Sequence, residues 1–299
     1  MATATKRFSV ADKLQVLQAP AWKKIPWLVH GFSTRQGGAT RCYGSKSPSF
    51  TLNLGFTKDD SRENVEKNRK QLLLALGAAT KGKPWPLATL RQVHSDLIHV
   101  VQSPAQPAVT GDGLITNRPG IALAVMTADC LPVMLVDPKN RAVGVFHAGW
   151  RGTVKRVVEK GLGIMRHEYG SLPDDIDAVI GPGIGKCCYE VGDELKYEFE
   201  SQFAYAGELF HEVYDSDAVR QKYPMLFMNA RAPGHGDTGP KLHLDLTEAN
   251  RRQLVAAGVP EDQITVLGHC TACDTRKFFS HRAEKGKTGR MMAVVGMHP

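Results

Sequence analysis

No uninterrupted apolar run in these 299 residues approaches the roughly 20 needed to span a bilayer, so a helical membrane protein is excluded. The opening MATATKRFSVADKLQVL has no continuous apolar stretch after Lys6 and Arg7; no secretory signal is expected, and a cytoplasmic location is the default. Internal repeats, low-complexity tracts and a divisible linker are also missing, which favours a single α/β domain over residues 1–299. Cysteine is sparse. The six are Cys42, Cys130, Cys187, Cys188, Cys270 and Cys273, and in a reducing compartment they suit metal or nucleophilic chemistry better than disulfides. There is no recognition-helix signature, RNA-binding aromatic motif or basic arm, so nucleic acid is not an expected partner. What is present is ordinary for a globular chain, with 42% hydrophobic and 23% charged residues. The net charge of +8, spread along the chain, suits anionic ligands.

Residues 1–30 read as a leader packed on the body, its IPWLVHGF carrying the first strand. STRQGGATRCYGSKSPSFT, rich in Gly, Ser and Thr, reads as a long irregular loop. SRENVEKNRKQLLLAL, residues 61–76, has a capping Ser and apolar residues at helical spacing. Residues 121–136, IALAVMTADCLPVMLV, predict two buried strands with a break at Asp129 and Cys130. A third strand, AVGVFHA, leads through GWRGT into a helix beginning near Thr153, with Val154, Val157, Val158, Leu162 and Met165 on one face. DAVIGPGIG and VGDELKYEFESQF repeat the strand, turn and helix order. Residues 203–241 read as a variable loop or insertion, after which LDLTEANRRQLVAAGV predicts a helix closed by Gly258, and ITVLG and MMAVVGM predict strands.

Three segments carry ligand-type side chains at predicted strand ends: His94 in QVHSD, Cys130 in TADCLP and His147 in FHAGWRG. Zinc accepts imidazole and thiolate together, and three protein ligands leave the fourth position open, the catalytic arrangement. Spacing alone leaves another reading open, because a buried His often satisfies a carbonyl and an apolar-strand Cys often serves as a small hydrophobe.

FSTR at 32–35, LNLG at 52–55, QVHSD, GDGLIT, TADCLPV, HAGWRGT, IGPGIGKCCYEVG and FFSHR with Gly289-Arg290 closely resemble the YfiH family of laccase-domain, or multicopper polyphenol oxidase-like, proteins. The resemblance runs from about Gly31 to Met297. It implies a four-layer α-β-β-α sandwich and one zinc per chain, bound by His94, Cys130 and His147. It also implies purine nucleoside chemistry: phosphorolysis of adenosine, inosine, guanosine and S-methyl-5'-thioadenosine with inorganic phosphate, and deamination of adenosine to inosine. Laccase chemistry needs many imidazoles in His-x-His pairs, and the 11 His of this chain form none; imidazole leaves adventitious copper binding open. Asp129, beside a ligand, and Asp112, in GDGLIT, are the candidate catalytic carboxylates, as proton shuttles or else as a metal-orienting group at Asp129 and a turn-former at Asp112. Arg35, Asn53, Arg151 and Arg282 are the candidate substrate or phosphate contacts, with Arg35 and Arg282 also fit for structural ion pairs. GWRGT would set unpaired N–H groups and a helix N-terminus beside the metal, an anion site to which Arg151 adds a fork.

Other motifs imply less. GPGIGK at 181–186 fits neither a dinucleotide fingerprint nor a P-loop and reads as a close turn. His269-Cys270-Thr271-Ala272-Cys273 looks like half a zinc site or a redox pair, but its second pair would have to be Cys187 and Cys188. Adjacent cysteines rarely chelate one metal comfortably, so a second metal is not expected. His281 stands where the family more often has Tyr. The rival within catalysis makes Cys130 a nucleophile activated by His147 or His94, as in cysteine hydrolases. The rival outside catalysis is a binding or editing factor in cell-envelope maintenance. Oligomeric state is left open.

Overall fold

A computed structural model describes residues 14–43, 50–103, 109–213 and 240–299. Two twisted sheets stack face to face, and helices cover both outer faces. The first sheet comprises β1 (Val16–Leu17), β2 (Leu28–Ser33), β3 (Leu87–Ala88), β6 (Ala122–Thr127) and β11 (Met291–Met297), in the order β1-β2-β11-β6-β3. The second comprises β4 (Ile98–Val100), β5 (Gly113–Thr116), β7 (Leu131–Asp137), β8 (Ala142–Ala148), β9 (Asp177–Ile180) and β10 (Ile264–Val266), in the order β10-β9-β7-β8-β5-β4.

Alternation along the strands sorts side chains into three apolar layers. Leu131, Val133 and Leu135 face the helices α3 (Val157–Tyr169) and α5 (Leu246–Ala256) with Val158, Leu162 and Leu254. Met134, Val136, Val143 and Val145 turn inward against Leu123, Val125 and Val295 of the first sheet. Ala122, Ala124 and Val294 point outward to Leu72, Leu73 and Leu76 of α1 (Arg62–Leu76). The expected four-layer α-β-β-α sandwich is therefore the architecture found. Both faces of β7 and β8 are covered, which is why these segments are continuously apolar.

Local signals behave as their chemistry requires. The Ser61 side chain accepts the Asn64 N–H at 3.2 Å, and Gly77, at φ 79°, closes α1 in the left-handed region. The helix expected from near Thr153 is two: α2 (Trp150–Val154), and α3 after a break at Arg156, which sits at φ 60°. α4 (Asp193–Glu200) follows β9 as expected. The Gly-rich stretch after Ser33 is partly ordered, with Gln36–Thr40 forming a strand bridged to Thr51. Residues 1–13 of the leader lie outside the described residues; beyond them β1 pairs with β2, and Trp22 is buried between the sheets. Residues 214–239 of the expected insertion are likewise outside them, and the flanking Phe210–Val213 and Lys241–Leu244 pair in a small third sheet with Glu190–Val191. Among the described residues no helix is long and apolar enough to cross a membrane.

Candidate active site

The chain leaves the first sheet at Thr127 and enters the second at Leu131, so the polar break at Ala128, Asp129 and Cys130 is a crossover between layers. Asp129 adopts φ 93°, a conformation that costs a non-glycine residue about 1–3 kcal/mol and survives only where its surroundings fix it. They do. The Ile184 N–H donates to the Asp129 carbonyl at 2.7 Å, the Thr271 hydroxyl to Oδ1 at 2.7 Å, and the Arg282 N–H to Oδ2 at 2.7 Å.

His94, also left-handed at φ 57°, lies in the loop between Leu90–Arg91 and β4. The fully buried Asp112 carboxylate holds that loop by accepting the N–H groups of Val93, His94 and Ser95 and the Ser95 hydroxyl. His147 ends β8, where its N–H donates to the Asp112 carbonyl at 2.7 Å and its ring Nδ1–H to Asp112 Oδ1 at 2.8 Å. One carboxylate thus holds the His147 ring through Nδ1 and the His94 loop through its backbone, which leaves His147 Nε2 as the ring atom free to meet a metal.

The ligand atoms of His94, Cys130 and His147 all lie within 4.8 Å of one another, with Cys130 Sγ 3.7 Å from His94 Nε2. Gly149 passes so close that a Cβ there would stand 2.8 Å from Cys130 Sγ and 3.0 Å from His94 Cδ2, so a side chain at 149 would fill the cradle. Two imidazoles, one thiolate and a carboxylate behind one imidazole fit zinc with an open side.

Electrostatics agree. Burial alone would keep the Cys130 thiol protonated, but His147 and His94 outweigh it and draw its pKa below the ordinary range. Burial would likewise keep His147 neutral, but the Cys130 thiolate and Asp112 outweigh it and push its pKa up. Asp112 resists burial through the bonds from His147 and Ser95, which hold it well below the usual carboxylate range.

The three ligands open on a cleft of about 520 Å³, also lined by Phe56, Arg91, Gln92, Met126, Asp129, Tyr189, His281, Arg282 and Arg290. Asp129 is its one carboxylate and faces three arginines, a balance that favours an anionic ligand. Arg282 donates from Nη1 to the Glu190 carbonyl at 2.6 Å and stacks on Tyr189, so the arginine is braced at the wall. Phe56 is 51% exposed at the cleft, backed by the Arg69 and Arg62 guanidinium groups.

Several expected site residues stand elsewhere. Asp112 is sealed behind His147 and is not part of the cleft lining, so it serves as the orienting group, not a shuttle to substrate. Arg35 is buried, and its guanidinium is consumed by Glu284 at 3.0 Å and by the carbonyls of Tyr43, Thr275 and Phe278. Asn53 is fully buried, bonded to Asp60 and Gly55 and accepting the Arg290 N–H; it braces the cleft wall from behind. Arg151 is exposed on α2, stacked on Trp150 at 4.2 Å, and makes no ion pair among the described residues. Phe56, Arg91, Gln92, Tyr189 and Arg290 were not named as candidates from the sequence, although Gln92, Tyr189 and Arg290 lie in QVHSD, IGPGIGKCCYEVG and Gly289-Arg290, strings that carry the resemblance, and Phe56 directly follows LNLG.

Fold and site together define a two-sheet α/β sandwich whose cleft opens on a His-Cys-His group that could hold a metal. The chain belongs to the family described as multi-copper polyphenol oxidoreductase laccase, whose pattern matches residues 29–298, and its relatives are of the YfiH and YlmD type. It is 36% identical over 277 residues to the Geobacillus stearothermophilus protein named purine nucleoside phosphorylase YlmD, covering 90% of this chain and 89% of that one. It is 32% identical over 276 residues to a protein from an unknown prokaryotic organism named adenosine deaminase RL5, covering 89% and 93%. The crystal structure of Bacillus licheniformis hypothetical protein YfiH superimposes with a TM-score of 0.76 at 32% identity, over 97% of this chain and 98% of that one.

Proposed function

We propose that this chain is a zinc-dependent purine nucleoside phosphorylase that also deaminates adenosine. Its substrates would be adenosine, inosine, guanosine and S-methyl-5'-thioadenosine together with inorganic phosphate. The observation that carries this reading is a His94-Cys130-His147 ligand set opening on one cleft with Asp129, Arg91, Arg282 and Arg290, large enough for a nucleoside and an anion. The names of relatives across most of the chain support the same chemistry.

Zinc held by His94, Cys130 and His147 supplies Lewis acidity at the cleft wall. Arg282, with Arg91 and Arg290, would hold the phosphate dianion beside the ribose, and Arg151, on the exposed face of α2, would add positive charge. Phe56 offers its face to the purine, and Tyr189 stays a neutral donor because burial pushes its hydroxyl up. In phosphorolysis a phosphate oxygen forms the bond to ribose C1', the bond from C1' to N9 breaks, and the base leaves with that electron pair and gains a proton. In deamination water adds at C6 of adenine and ammonia leaves. Asp129, in the cleft lining and with one accepted hydrogen bond on each oxygen, would carry the proton in either case. Free nucleosides, phosphate and the reduced Cys130 thiol all suit the cytoplasm.

A cysteine nucleophile is the competing use of the same atoms, since Cys130, His147 and Asp112 form a relay of the right residue types. One preparation separates the readings. Zinc-replete protein is expected to release ribose 1-phosphate from inosine with saturable dependence on phosphate, and to form inosine from adenosine without phosphate. Detection of neither product would overturn the proposal, and absence of zinc together with ready alkylation of Cys130 would favour the nucleophile.

A further inference from the structure

Behind the cleft wall, away from His94 and His147, four further cysteines converge. Cys187 and Cys188 belong to the turn after GPGIGK, and Cys270 and Cys273 to the loop after β10, more than eighty residues later. Their sulfurs all lie within 4.8 Å of one another; Cys273 Sγ is 3.3 Å from Cys187 Sγ and 3.4 Å from Cys188 Sγ. A zinc ion with four sulfurs at about 2.3 Å spaces them about 3.8 Å apart, and the thiol separations, 3.3 and 3.4 Å from Cys273 and none above 4.8 Å, bracket that spacing.

The expected difficulty with adjacent cysteines disappears in the observed turn. Cys188 and Tyr189 both donate their N–H groups to the Gly185 carbonyl, at 2.9 and 3.0 Å, and this tight bend turns both neighbouring sulfurs toward Cys273. Gly185 also donates its N–H to Cys270 Sγ at 3.2 Å, a bond that favours the thiolate form. A Cβ on Gly185 would lie 3.3 Å from Cys187 Sγ and 3.3 Å from Cys270 Cβ, so the backbone comes this close because residue 185 has no side chain. The two loops are registered by backbone as well, with Gly183 donating to the His269 carbonyl and Thr271 to the Gly183 carbonyl.

We propose that Cys187, Cys188, Cys270 and Cys273 form a tetrathiolate site for a structural zinc ion, separate from the His94-Cys130-His147 centre, that clips together the two loops forming one wall of the cleft. The clip acts on the cleft through its neighbours in sequence. Thr271, between two of the cysteines, holds the Asp129 carboxylate, and Ile184 and Tyr189, which bracket the other two, line the cleft. Four ligands close the coordination shell, so this ion has a structural role rather than a position for substrate.

The test isolates the site from the first centre. The His94→Ala/His147→Ala protein, purified with zinc and without chelator, is expected to retain about one zinc per chain, and adding Cys187→Ser/Cys273→Ser is expected to remove it. In the full-length unsubstituted protein, the exposed Cys187 and Cys273 are expected to resist alkylation until a strong chelator is added and then to react together with Cys188 and Cys270. This second measurement stands if the Ser variants fail to fold. Cobalt in the His94→Ala/His147→Ala background is expected to give a near-ultraviolet thiolate charge-transfer band that the Ser variants lose. The proposal is overturned if the His94→Ala/His147→Ala protein holds no zinc and its thiols alkylate freely, or if intact mass without reductant shows a disulfide among the four. Because the readouts are metal and thiol chemistry in a background lacking the first centre, failure here is distinguishable from failure of the nucleoside reading.

Discussion

Replacing Asp112 by Asn tests whether one buried carboxylate organises the metal centre. The side chain accepts five hydrogen bonds: Oδ1 from the His94 N–H and His147 Nδ1–H, Oδ2 from the Val93 N–H, the Ser95 N–H and the Ser95 hydroxyl. Asn keeps one acceptor oxygen and turns an NH2 group toward donors on the other side. The less costly orientation gives up the Oδ1 pair, and losing two bonds to a buried charged acceptor, at about 1.5–3 kcal/mol each, predicts a loss of roughly 3–6 kcal/mol. At roughly 2–4 °C per kcal/mol, the scale for domains of 150–250 residues, Tm should fall by at least about 6 °C. The sign with pH follows from the depressed carboxyl pKa. Stabilisation by Asp112 is complete above its unfolded value of about 3.9 and is lost as pH falls toward the lower folded value, so the gap between wild type and variant should narrow in acid. Zinc affinity should drop by about 10–100-fold, as for other groups that orient a ligating His. Calorimetry, chelator competition and kinetics at saturating zinc check these outcomes. A kcat that recovers when the site is fully loaded marks Asp112 as a positioning residue. A Tm change within about 1 °C, or a kcat abolished in fully loaded protein, would refute the reasoning.

Two further outcomes concern the cleft. Asp129→Asn should keep its hydrogen bond from Thr271 or Arg282 and its metal content, yet lower kcat by about 10²–10⁴-fold, the usual contribution of a positioned proton carrier; equal activity at full zinc occupancy would move the proton elsewhere. Arg282→Ala leaves intact the backbone N–H that holds Asp129, so it should raise KM for phosphate by roughly tenfold or more while sparing phosphate-independent deamination, as steady-state kinetics of both reactions can show.

Much of the scaffold was legible because its signals are local. The Ser61 cap and the Gly77 terminus bracket α1, and the apolar runs 122–127, 131–137 and 142–148 have no alternative to burial. What local pattern does not encode is partner choice. Ala122–Thr127 and Leu131–Asp137 read as neighbours in sequence, but they pair with β11 and β8 in different sheets, and with both faces of each buried there is no polar side to orient them. The break at Arg156 was equally silent, since neither Gly nor Pro marks it. Arg35 shows the same limit from the other side. An arginine in a Gly-rich stretch has the look of an anion-binding arm, and only its fold partners, Glu284 and three carbonyls, reveal that its donors are used up.

The clustering of His94, Cys130 and His147 was the most legible part of the site, and the crossover explains why. A chain passing from one buried sheet to another must spend its polar groups there, and this one places Asp129 and Cys130 at that step. His147, paired in register with Pro132, lies across from the entering strand, so the end of β8 brings imidazole to the start of β7 without any long connection. His94 completes the set only because Asp112 gathers three consecutive N–H groups around a left-handed turn. Strain at His94 and Asp129 is therefore held on opposite sides of one ligand cluster, by Asp112 on one side and by Thr271, Ile184 and Arg282 on the other. The second group of supports comes from the loops that carry the four converging cysteines or from the segment that follows them. A cleft whose carboxylate, Asp129, hangs on those loops gains rigidity from anything that ties them together, which links the proposed chemistry of the cleft to the state of thiols outside it.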